Sequence, residues 1–132
     1  MSEASRQALV RLRQVLLELH KLLLDHETLV YERTYGRVAK LELLQLALHH
    51  ESFEWLRPVS RLIAEIDEAL DCEEPRTDEE AKGLFVRTRR LVRPAESDPE
   101  TPFGRKYFDV LQDDPDVILA HAGVARVLAA GL

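Results

Sequence analysis

From Ser5 to Tyr35 the chain keeps a helical spacing of apolar residues with no proline or glycine to interrupt it. About 30 residues make a rod about 45 Å long, and Gly36 follows as a helix stop of the usual type. With Leu9 at heptad position a, the a row is Leu9, Leu16, Leu23 and Val30. The d row is Leu12, Leu19, His26 and Arg33. Val15, Leu22 and Leu29 fill g, and Leu17, Leu24 and Tyr31 fill b, which leaves c and f as the polar face. An edge helix needs an apolar stripe of roughly 100°, and this arc is far wider. Such a helix is either central in its domain or supports a second interface. The second option makes Leu9, Leu12, Leu16, Leu19, Leu23 and Val30 the candidate interface of a homodimer, since two-fold self-association is the commonest assembly.

The rest of the chain repeats the helical signal between short punctuation marks. A second helix is expected over about 38–49, with Leu41, Leu44 and Leu48 on one face. Ser52 is placed to cap a turn over 53–57. Pro58 cannot donate a backbone hydrogen bond and restricts Arg57, so a kink or break is expected there. Helix then resumes to about Leu70, with Leu62, Ile63, Ile66 and Leu70 inward. Thr77 with Glu80 reads as a capping box that opens a helix to about Val92. A loop is expected at about 93–100. Thr101-Pro102 and Asp114-Pro115 carry the cap-then-proline signature of two more starts, ending near Gln112 and Ala130. The expected fold is all-α: a single domain, residues 1–132, bundled around its long N-terminal helix.

Composition sets bounds on function. Hydrophobic residues are 45% and charged residues 32% of 132, the balance of a globular domain that needs no staple. Lys and Arg number 18 against 24 Asp and Glu. Nucleic-acid binding calls for a basic field, and the one dense basic cluster, Arg87, Arg89, Arg90 and Arg93, lies between acidic segments. It reads as a solvated helix face, and no nucleic-acid partner is expected. The N-terminus lacks the pattern of a secretion signal, and no apolar run is long enough to span a membrane. The single thiol, Cys72, sits among Asp71, Glu73 and Glu74, which disfavour a thiolate. A reducing cytoplasm is the expected compartment.

No catalytic constellation stands out, and no cofactor or metal is expected. Glu-x-x-His and HExxH are absent, as are GxSxG and a glycine-rich phosphate loop. His49-His50-Glu51 reads as a pair of histidines complementing a helix C-terminus. Arg13, His20 and Glu27 recur every seven residues at e, inside the apolar arc. Polar groups buried there need partners. They either form a register-fixing network with a neighbouring helix or, as His20, His26, Glu27 and Tyr31, line a ligand pocket. Phe53, Trp55, Arg57 and Pro58 concentrate aromatic and charged chemistry at the expected break. The aromatics either plug the core there or anchor a partner, and Arg57 would pair with Asp67 or Glu32. Were the chain an enzyme, Arg57, Asp67 and His26 would be the residues to test.

Tyr31-Glu32-Arg33, followed by Phe53-x-Trp55-Leu56-Arg57-Pro58-x-Ser60-x-Leu62-Ile63-x-x-Ile66-Asp67, resembles the pattern of a family of bacterial all-helical proteins. The likeness covers about the first half and, more weakly, the stretch from Tyr107 to Ala122. That family has no assigned activity, so the resemblance implies a helical fold and carries over no catalytic residue. The reading that best joins these features is a non-catalytic cytoplasmic interaction or scaffold bundle that self-associates, with a small-ligand or metal-binding bundle as the alternative.

Overall fold

The computed structural model describes residues 1–72, 74, 76–93 and 101–132. Among these, six α-helices and one 3-10 turn account for nearly the whole backbone, and there is no strand. Helix α1 is Glu3–Tyr35, α2 is Lys40–His49, the 3-10 turn is Glu51–Leu56 and α3 is Arg57–Asp71. They are followed by α4 (Asp78–Val92), α5 (Pro102–Asp113) and α6 (Pro115–Ala130). From residue 94 onward the expected loop at 93–100 lies outside the described residues.

Local chemistry explains most of the boundaries. Ser2 caps α1 by accepting from the Ser5 N–H. Gly36 ends it at φ 89°, ψ 176°, a backbone region open essentially only to glycine. Thr77, Thr101 and Asp114 cap α4, α5 and α6 through their side-chain oxygens. The capping box at Thr77 is only half made, because the Glu80 carboxylate accepts from Arg76 instead. Ser52 does not cap the turn after α2. His50 does, its Nδ1 accepting the Ser52 N–H at 3.1 Å. The break at Pro58 takes the form of a 3-10 turn running directly into α3, whose first turn tolerates the proline because its missing N–H would be unsatisfied there anyway.

Helix α1 lies at the centre, touching α6, α3, α4 and the 3-10 turn. Leu9, Leu12, Leu16, Leu19 and Leu23 are all 0% exposed within the single chain. These five are therefore intrachain core and not the surface of a dimer, which corrects that part of the expected interface. The arc is wide because elements cover it from several sides. Cover fails near its C-terminal end: α6 starts beside His26, where Asp114 Oδ2 lies 3.5 Å from His26 Nδ1. Past that level Leu29 is 57% and Val30 40% exposed.

Helix α3 runs antiparallel to α1 along the polar e row. Arg13 pairs with Asp67 and His20 Nε2 is 2.9 Å from Ser60 Oγ. Each step of seven along α1 is thus matched by seven in the opposite direction along α3. One step further, Glu27 is buried at the level of the 3-10 turn. The row fixes the register of two helices whose apolar faces alone would tolerate sliding.

Candidate functional site

The four residues considered as a ligand-binding stripe do not converge. His20 faces Ser60 on α3. His26 stands about 120° around the helix from it and faces Asp114 at the start of α6. Glu27 is in the core, and Tyr31 packs against Tyr35, His50 and Phe53 with ring centroids 4.6 to 6.1 Å apart. Among the described residues, no three of His, Cys, Asp and Glu are grouped to hold a metal ion. Arg57, Asp67 and His26 do not share a site either, since Asp67 belongs to Arg13 and His26 to Asp114. Arg57 finds neither expected partner. Its Nη2 donates to the Leu48 carbonyl at 3.1 Å, and its Nη1 lies 3.7 Å from Glu54. Glu32 instead accepts from the Val38 N–H at 2.9 Å. In the basic cluster, Arg87 pairs with Glu65 and Arg89 donates to the Leu128 carbonyl.

Burial holds the imidazoles of His20 and His121 below their ordinary value of 6.5. The unfolded chain therefore binds protons in a range where the folded chain resists them. Stability from this source is intact above pH 6.5 and is lost as pH falls through the window below it. A urea midpoint measured at about pH 7.5 and about pH 5.5 should fall between the two, within the range set by ordinary histidine titration. In a His20→Gln/His121→Gln variant the drop should be smaller. An equal drop would mean that other groups cause it.

Two surfaces carry chemistry that the core does not absorb. The first is α2, which has no buried residue. Leu43 and Leu46 lean on the core, while Leu41, Leu44 and Leu48 are 80%, 55% and 55% exposed on the opposite face. The second is a cleft of about 400 Å³ where the start of α3, the end of α4 and the start of α5 meet. Trp55, Pro58, Leu91, Pro102 and Phe103 line it with Arg57, Arg61, Glu54 and Thr101. Trp55 and Phe103 have centroids 5.9 Å apart, and Lys106 Nζ sits 5.9 Å over the indole. A shallower depression lined by Pro58, Arg61, Leu62, Arg87 and Leu91 continues along α3 and α4.

Of the motif residues, Phe53 and Trp55 are buried at the bend, and Trp55, Arg57 and Pro58 also form one wall of the cleft. Arg61 and the α5 contributions, Pro102 and Phe103, were not singled out by sequence reasoning. Nothing in the local spacing of α3 or α5 marks them as site residues, and only packing brings them to Trp55. Neither a protein-family model, a curated protein nor a solved structure matches the chain.

Proposed function

We propose that this protein is a non-catalytic cytoplasmic interaction module that pairs with a second copy of itself through α2. The observation that carries the reading is the outward leucine face of α2, because a ten-residue helix is marginal in water without packing. Charge favours an identical partner. Arg37 and Lys40 outweigh Glu42 at the N-terminal end of α2, and Glu51 and Glu54 follow its C-terminal end. Antiparallel pairing about a two-fold near Leu44 sets Leu41 beside the partner copy's C-terminal leucine and matches unlike charges at both ends. Helix α2 also starts without a side-chain cap, and Glu42 in its first turn is offset by Lys40, so the helix end keeps free N–H groups without a net negative charge beside them. A carboxylate from the second copy would offset that. The one exposed thiol, Cys72, and the absence of a cysteine pair suit a reducing cytoplasm. No helix among the described residues is long and apolar enough to cross a membrane.

Sedimentation velocity over a range of concentrations tests this. The wild-type chain should sediment as a dimer, and Leu41→Glu/Leu44→Glu as a folded monomer with an unchanged helical circular-dichroism spectrum. A wild type that stays monomeric at several hundred micromolar, or a double variant that still dimerises, overturns the proposal.

A further inference from the structure

The cleft at Trp55 has the composition of a small-molecule site. Its volume of about 400 Å³ falls within the usual range for ligand pockets, at the end suited to a single ring or a short branched chain. Apolar walls come from Trp55, Phe103, Leu91 and two prolines. Its charged lining is Arg57 and Arg61 against Glu54, which leaves one net positive charge. Glu54 engages Arg57. Arg61 makes no hydrogen bond or ion pair among the described residues and is exposed at the cleft. Its guanidinium presents a planar fork of donors that matches a carboxylate.

Trp55 supplies an independent sign of a missing acceptor. The residue is 5% exposed, and its indole Nε1–H has no hydrogen-bond partner among the described residues. A buried donor left unpaired is destabilising, and such groups in folded proteins call for an explanation. We propose that the Trp55–Arg61 cleft binds a small monocarboxylate with an apolar body, the carboxylate on Arg61 and the ring or branched chain against Phe103 and Leu91. The indole nitrogen has no solvent contact in the free structure, so the carboxylate reaches its N–H only when the ring moves. With Glu54 on Arg57, Arg61 is the cleft-lining arginine left for an anion, and its fork matches one carboxylate.

Trp55 is the only tryptophan in the chain, so its fluorescence and its single indole N–H resonance both report on the cleft. Benzoate is the probe, with benzyl alcohol as its neutral counterpart and phenyl phosphate as the dianion. Benzoate should give a saturable fluorescence change and move the indole proton downfield. Benzyl alcohol and phenyl phosphate should bind at least about tenfold more weakly, a difference of about 1.4 kcal/mol. Arg61→Gln should weaken benzoate by about tenfold or more with the thermal midpoint unchanged, since the side chain has no hydrogen-bond or ion-pair partner among the described residues. The proposal fails if benzoate produces no saturable change up to about 10 mM, if Arg61→Gln binds it equally well, or if phenyl phosphate binds as tightly. None of these outcomes depends on the oligomeric state, so the α2 proposal stands or falls separately.

Discussion

Leu16→Ala should lower the stability of the folded chain by about 3 kcal/mol, within the range for emptying a buried leucine site. In a domain of this size that corresponds to a fall of about 12 °C in the thermal midpoint, at about 4 °C per kcal/mol. Leu16 is 0% exposed and sits mid-way along the buried row from Leu9 to Leu23. Elements pack around α1 on several sides, so the surroundings cannot close onto the space left behind. Leu16→Asp should prevent folding altogether, because an unpaired carboxylate would replace the side chain in a dry interior. Thermal denaturation followed by circular dichroism measures both. The contrast with α2 is the decisive part. A Leu16→Ala protein that kept its midpoint and lost only self-association would place the α1 leucines at an interface between chains and contradict the packing described above.

The second large effect is expected at Tyr107. This side chain is 1% exposed and is among the largest that are fully buried. It stacks on Phe103 at 5.0 Å, and its hydroxyl lies 2.6 Å from His121 Nδ1. Burial pushes the phenol's pKa up and the imidazole's down, so both stay neutral. With both neutral, which of them donates is set by the imidazole tautomer. Tyr107→Phe keeps the ring and removes the hydroxyl, leaving a half-buried imidazole nitrogen unpaired at a cost of about 1–2 kcal/mol. Tyr107→Ala also empties the space between α5 and α6, for a loss of about 3–5 kcal/mol. Denaturant titration should rank wild type above Phe above Ala. Because Phe103 links Tyr107 to Trp55, the Ala variant should also change the tryptophan emission, and the Phe variant should change it little. Equal losses in the two variants would mean that the hydrogen bond, and not the ring, holds α5 in place.

The helices were legible in the sequence wherever their ends are decided by a few neighbouring residues. Thr77, Thr101 and Asp114 each satisfy a free N–H within three residues of their own position, and Gly36 supplies a backbone angle that other residues resist. Such decisions need no tertiary contact. The turn after residue 50 departs from the expectation by residue type: Ser52 is the better capping residue, but the extended residue before the turn is His50, at φ −83°, ψ 137°, and its Nδ1 takes the Ser52 N–H. The polar row on α1 was visible as a row. Its periodicity could not tell a neighbouring helix from a ligand, because both place partners seven residues apart.

By itself, then, the sequence determined the all-α class, the order and approximate limits of the helices, and the central character of the first one, since these follow from periodicity and capping. Tertiary structure decided what each face meets. It closed the chain around Leu9 to Leu23, left Leu41, Leu44 and Leu48 uncovered, sent His20 and His26 to different helices, and brought Arg61 of α3 beside Phe103 of α5. An amphipathic pattern records that a face is apolar or charged. Which other element arrives to cover it depends on the packing of segments distant in the chain, and no local spacing carries that information.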